Sequence, residues 1–120
     1  MNIEHHVTSL ELSKRLKELG VPQDSAFYWQ RHHSVDAPGG WTWSLSNTTN
    51  GNCVSAFLAS ELGELLPERC YAMREDAEWS AHRGQERFAI VTQTQVDTLA
   101  KLLIHLIECA QIGFSTWHAG

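Results

Sequence analysis

Residues 94–110, TQVDTLAKLLIHLIECA, hold the longest apolar segment of the chain. Placed at about 100° per residue, the angle of an α-helix, the apolar positions cover more than half of the circumference. The remaining polar strip consists of Asp97, Thr98, Lys101, His105 and Glu108. An ordinary surface helix shows an apolar stripe only about 100° wide. The pattern therefore predicts a helix that lies in a trough of protein, with the polar strip facing water.

The composition is typical of one globular domain, residues 1–120. Apolar residues make up 42% of the chain, the formal net charge is −5, and the pI is about 5.7. This balance gives no general attraction to nucleic acid or to an anionic membrane. The three cysteines do not fit a disulfide framework, and the N-terminus lacks the pattern of a signal peptide. We therefore expect a cytoplasmic protein with no cofactor and no membrane association, and the charge balance argues against a nucleic-acid partner.

Outward from this helix, the sequence predicts two more helices and five strands. Thr8 with Glu11 forms a capping box, and Gly20 with Pro22 ends a helix over 8–20. A second helix is predicted over 57–66, and strands are predicted over 25–31, 41–46, 69–74, 77–83 and 86–92. The order α-β-β-α-β-β(-β)-α predicts an α+β fold. We expect one antiparallel sheet of four to five strands and three helices, with the C-terminal helix packed on the sheet.

Local signals add detail to this outline. The first two strands are expected to pair as a hairpin, and Asn50–Gly51 is the predicted turn after them. Gly63 weakens the second helix and predicts a closely packed neighbour there. Alternation along the last three strands predicts the following inward side chains: Tyr71, Met73, Trp79, Ala81, Phe88 and Ile90.

The hairpin aromatics are the candidates for a binding surface. Tyr28, Trp29, Trp41 and Trp43 all fall in its two predicted strands. Aromatic side chains usually fill cores, but an aromatic residue on an uncovered face offers a contact for a partner or a stacked ring. We take these four residues as the candidate binding residues.

Other residues could carry chemistry, but the sequence brings no complete set together. Glu61, Glu64 and Glu68 are spaced by three and four residues, which makes them candidates for holding a divalent cation. A solvated acidic helix face explains the same spacing. The seven histidines lack the short spacings of zinc ligands, and the cysteines lack the surroundings of an activated thiol. We predict no catalytic residue and no metal.

The first helix also allows an alternative interpretation. The chain from residue 8 begins like a helix-turn-helix, in which a second helix would follow Val21–Pro22–Gln23. The next residues are mainly aromatic, and Arg31 is their single cation, so few groups could contact DNA. A DNA-binding regulator using helix 8–20 stays one alternative. A metal-dependent hydrolase using the three glutamates is another.

Four stretches together resemble a group of small proteins found in phages, prophages and related bacterial genomes. They are TSLELSKRLKELG at 8–20, SAFYW at 25–29, SAFLASELGELLPE at 55–68 and DTLAKLLIHLIE at 97–108. The chain departs from the pattern at Phe57–Leu58, where the group has Pro and Thr, so the N-cap of the second helix is not carried over. The group has no established activity. The resemblance implies a phage-type accessory protein in a bacterial cytoplasm.

These patterns together predict a small non-enzymatic module that binds a protein or a small ligand. The sequence does not specify which partner. A homodimer is a further alternative, and it would follow if the apolar face of helix 94–110 were exposed.

Overall fold

The computed structural model describes residues 3–49 and 52–109. They form three α-helices, α1 (Leu10–Glu18), α2 (Ala59–Leu65) and α3 (Gln95–Glu108). The strands are β1 (Phe27–His33), β2 (Trp41–Ser46), β3 (Cys53–Ala56), β4 (Cys70–Glu75), β5 (Glu78–Arg83) and β6 (Glu86–Thr92). The predicted α+β class is confirmed. The predicted turn at Asn50–Gly51 and the last predicted helical residue, Ala110, lie outside the described residues.

The strands form two sheets instead of the predicted single sheet of four to five strands. An N-terminal sheet has the order β2-β1-β3, and a C-terminal sheet has the order β4-β5-β6. All pairings in both sheets are antiparallel. The hairpin of β1 with β2 and the meander β4-β5-β6 are confirmed. The sequence interpretation missed β3, which has four residues and is separated from α2 only by Phe57 and Leu58.

The sheets stay separate because the outer edge of β3 is already occupied. Lys17 Nζ donates to the carbonyl of Cys53 at 3.1 Å. The backbone N–H of Ser55 donates to Oε1 of Gln23 at 2.8 Å. The segment before α1 also pairs with the residues that follow β3. The carbonyl of Cys53 and the N–H of Ser55 are therefore not available to pair with β4.

The core forms around α3, as its apolar width predicts. Leu102, Leu103 and Leu106 are fully buried, and the helix packs against α1, α2 and the C-terminal sheet. The predicted polar strip is wrong at Thr98, which is fully buried and donates to the carbonyl of Thr94 at 3.0 Å. Because the apolar face of α3 is covered, it gives no support to a dimer through that face. No helix within the described residues has the length and apolar character needed to cross a membrane.

The ends of α1 show which local signals were correct. Ser9, one residue after the predicted Thr8, is the N-cap, and its Oγ accepts from the N–H of Leu12 at 3.4 Å. At the other end Gly20 adopts φ +88°, and the N–H of Val21 donates to the carbonyl of Leu16 at 3.1 Å. This is the predicted left-handed glycine C-cap, in the form of a Schellman motif.

Two packing predictions are wrong in the second half of the chain. Tyr71 and Met73 are 41% and 42% exposed, because β4 turns Cys70 and Ala72 toward the core instead. A Cβ built on Gly63 would meet no atom within 4 Å, so the expected close neighbour is missing from the described residues.

Candidate functional site

The register of β1 with β2 gathers side chains on one face of the N-terminal sheet, here called the aromatic face. The opposed pairs are Trp29 with Leu45, Arg31 with Trp43, and His33 with Trp41. Opposed residues of antiparallel strands project to the same side of a sheet. The structure therefore brings together three of the four predicted binding residues, whereas Tyr28 lies on the opposite face.

Two of those four residues serve mainly to hold the sheet in place. Trp29 is half-buried, and its indole Nε1–H donates to the carbonyl of Thr8 at 2.9 Å. That bond ties β1 to the segment that enters α1. Tyr28 is 8% exposed, so it presents little surface to a partner.

The other two tryptophans each carry a cation. The guanidinium Cζ of Arg31 lies 4.4 Å from the ring centroid of Trp41, and His33 meets the same ring edge-on at 5.0 Å. Lys14, from α1, places its Nζ 4.8 Å from the ring centroid of Trp43. These distances fall within the range of cation–π interactions. We call these five residues the hairpin patch. Trp41 is 46% exposed, and the cations on the patch are exposed as well.

The patch is a local excess of positive charge on an acidic protein. Among the described residues, neither Lys14 nor Arg31 has a carboxylate within ion-pair distance. In contrast, Arg15 on α1 pairs with Glu108 at 2.9 Å, and this hydrogen bond raises the pKa of the Arg15 guanidinium. The formal charge of the whole chain is −5. An anionic group that approaches the patch would therefore meet charges that are not yet neutralised within the described part of the chain.

Sequence reasoning missed three members of the patch, Lys14, Arg31 and His33. The alternation of side chains along β1 would have predicted that Arg31 and His33 lie on the same face as Trp29, because every second residue of a strand shares a face. No local sequence signal could have predicted that Lys14 belongs to the patch, because Lys14 lies on α1 and its position depends on how that helix packs on the sheet.

The three candidate metal-binding glutamates do not converge. Glu61 accepts hydrogen bonds from the N–H groups of Leu58 at 2.8 Å and Ala26 at 2.9 Å, so its carboxylate stabilises the start of α2. Glu64 joins it in lining an open cavity of about 470 Å³. Glu68 lies beyond the end of α2 and lines a different cavity. Within the described residues, no group of three potential ligands is close enough to hold a metal ion.

A serine and a histidine meet on β5, but they are closed to a substrate. Ser80 Oγ lies 2.8 Å from His82 Nε2 and 3.2 Å from a carboxylate oxygen of Glu75. Ser80 is 1% exposed and His82 is 6% exposed. Each of these two side chains is therefore a hydrogen-bond partner of the other, inside the sheet. The thiol of Cys70 is also unsuited to attack, because burial raises its pKa and so disfavours the thiolate.

The alternative DNA-binding motif lacks its second helix. After α1 the chain turns at Gly20 and runs into β1, which begins at Phe27. In addition, α1 buries Leu16 in the core and packs against both β3 and α3. The segment 8–33 is therefore a helix followed by a strand.

Comparison with family models, with curated proteins and with solved structures found no match for this chain. The resemblance to phage-associated proteins accordingly stays a prediction. Function is inferred below from the geometry and charge of the hairpin patch.

Proposed function

We propose that this chain is a non-enzymatic binding module that docks on an acidic segment of a partner protein through the hairpin patch. The observation that carries this proposal is the exposed stack of Arg31 on Trp41, with a second cation over Trp43. The stack fixes a planar guanidinium whose donors can pair bidentately with a carboxylate.

The composition of the patch favours a protein partner over a small ligand. Tryptophan and arginine are the residues most enriched at the energetic centres of protein interfaces. Small-molecule sites are usually concave, but the cavities of about 470 and 400 Å³ are lined by other residues. Trp41 instead stands open on a hairpin.

The charge of the patch favours an acidic partner. Although the whole chain has a formal charge of −5, the positive charge of the patch attracts a complementary acidic surface and disfavours a basic surface at the same place. The phage-type context and the bacterial cytoplasm are part of the same proposal, and they rest on the resemblance of the four sequence stretches.

The test is a comparison of captured proteins between patch and control variants. Trp41→Ala and Arg31→Ala remove the stack, whereas Tyr71→Ala and Arg74→Ala remove exposed residues of the same kinds from β4. Each protein is immobilised, exposed to a lysate of the host bacterium, and its bound proteins are identified by mass spectrometry. We expect an acidic protein that binds wild type and both controls but neither patch variant.

The salt dependence gives a second readout. Because the contact is electrostatic, captured protein should be released when salt rises from about 0.1 to 0.5 M, where the Debye length falls below ~5 Å. The proposal is wrong if all five proteins capture the same set. It is also wrong if the salt-sensitive partner is nucleic acid, which a gel shift would detect.

A further inference from the structure

The outer edge of β2 offers unpaired backbone groups. The N–H of Ser34 donates to the carbonyl of Gly40 at 2.9 Å, so the even-numbered positions of β2 face β1. By alternation, the N–H and C=O groups of Trp41, Trp43 and Leu45 point away from the sheet. Within the described residues these groups have no hydrogen-bond partner. The edge is therefore a template on which another strand can add.

In the part of the chain that the structure describes, this edge also lacks the features that normally protect an exposed strand. Lysine, proline, bulges or a covering segment usually blunt such edges. The sequence of β2, WTWSLS, contains no charge and no proline, and its pairing with β1 runs without a register shift. The opposite edge of the same sheet, on β3, is covered by Lys17, Gln23 and the segment before α1. Among the described residues, the open edge of the N-terminal sheet is thus that of β2.

We infer that β2 pairs antiparallel with β2 of a second copy of this chain, around a two-fold axis at Trp43. In that register Trp43 lies opposite its own counterpart, and Trp41 lies opposite Leu45 of the other copy. All outward backbone groups then pair, which gives about six hydrogen bonds between the copies.

The strand is self-complementary in this register. On the aromatic face, apolar residues oppose apolar residues. On the other face, Thr42 lies opposite Ser44 of the second copy, so that hydroxyls oppose hydroxyls. Both kinds of cross-strand pair are stabilising, and no charge of β2 is placed opposite a like charge.

The pairing would join two hairpin patches on one continuous face. Arg31 lies beside Trp43 in the register, so the two copies of Arg31 are three strand spacings apart, about 14 Å. That distance exceeds the Debye length of about 8 Å at physiological salt, so their repulsion is largely screened. The dimer does not depend on the proposed partner, because it uses the edge of β2 and leaves the aromatic face open.

Sedimentation equilibrium of the full chain between about 1 and 100 µM tests the pairing. We expect a monomer–dimer equilibrium with a micromolar dissociation constant. Leu45→Pro removes one outward N–H without touching a bond to β1, so it should raise that constant at least tenfold. Leu45→Ala keeps the N–H and is the matched control. A wild-type monomer throughout the range would overturn the inference, and so would a Leu45→Pro dimer as tight as that of Leu45→Ala.

Disulfide crosslinking tests the register separately. At the two-fold axis the Cα atoms of the two copies of residue 43 are about 5.5 Å apart, a distance that a disulfide spans. Two copies of residue 41 would be about 13 Å apart along the strand. Mild oxidation should therefore link Trp43→Cys chains at position 43 but not Trp41→Cys chains at position 41, as mapped by mass spectrometry. The reverse result would rule out this register.

Discussion

Thr8 is the position where one hydroxyl group should matter most for stability. It is fully buried, and its Oγ1 accepts from the N–H of Phe57 at 3.0 Å. The same Oγ1 lies 2.6 Å from Oγ of Ser13. Its backbone carbonyl accepts from the indole of Trp29. Thr8 therefore connects the entry to α1 with β1 and with the residues after β3. The substitution Thr8→Val keeps the shape of the side chain and removes only the hydroxyl.

The loss of unfolding free energy in Thr8→Val depends on what happens to the groups that were hydrogen-bonded to the Thr8 hydroxyl. Ser13 Oγ keeps the carbonyl of Thr8 as an acceptor at 3.3 Å, whereas the N–H of Phe57 loses its acceptor inside the core. A buried donor without a partner costs about 1–3 kcal/mol. The unfolding entropy is about 2.1 cal/mol/K per residue, so in a chain of 120 residues the Tm falls by roughly 4 °C for each kcal/mol lost from the free energy of unfolding. We therefore expect the Tm to fall by roughly 4–12 °C.

Thermal unfolding followed by circular dichroism measures this change. Thr8→Ser keeps the hydroxyl and loses one methyl group, so it should be the milder variant, at about 1 kcal/mol. Thr49→Val, on the exposed turn after β2, is the control and should change stability by less than about 0.5 kcal/mol. The reasoning is refuted if Thr8→Val melts at the wild-type temperature, or if Thr8→Ser is the more destabilised of the two.

Changes at four other positions, Ser55, Gly20, Gly63 and Cys70, have a predicted direction. The buried hydroxyl of Ser55 has no hydrogen-bond partner within the described residues, so Ser55→Ala should raise the free energy of unfolding by up to about 1 kcal/mol in urea. Gly20→Ala should lower it by about 1 kcal/mol because φ is +88°, whereas Gly63→Ala, in open space within α2, should raise it by about as much. At neutral pH the thiol of Cys70 should react with iodoacetamide more slowly than the exposed Cys109, as peptide mapping would show. Burial raises the pKa of Cys70 from its ordinary value of 9.0, so its contribution to stability should be complete below pH 9.0 and decline as pH rises further, which unfolding of wild type and Cys70→Ala at pH 7 and 10 would detect.

The helices and hairpins were predictable because their signals are local. The apolar period of α3 and the Gly20 C-cap each lie within a few residues of sequence. The division into two sheets was not predictable in this way. It depends on Lys17 and Gln23 reaching the edge of β3, and no periodicity contains that information. The four residues of β3 are also too few to separate a buried strand from the start of a helix.

The candidate site shows the same division between local and tertiary information. Because alternate residues of a strand share a face, the spacing of Trp41 and Trp43 within β2 is enough to place both on one side of the sheet. The pattern could not distinguish Trp29, which the carbonyl of Thr8 holds, from Trp41, which stands open. Nor could it place Lys14 over Trp43, because that contact needs α1 to pack on the sheet.

The arrangement of the two sheets explains why surplus aromatic surface can exist in so small a chain. The core forms around α3 with the C-terminal sheet, and its largest buried side chain, Phe57, follows β3. Sheet residues beyond the reach of α1, such as Trp41, add nothing to that core. Removal of the Trp41 ring should therefore lower the Tm less than removal of the Phe57 ring, because 46% of Trp41 is already exposed in the fold whereas Phe57 is 1% exposed. A Trp41→Ala variant that lost binding and melted well above Phe57→Ala would separate recognition from folding, whereas a fall in Tm as large as that of Phe57→Ala would mean that the hairpin belongs to the core.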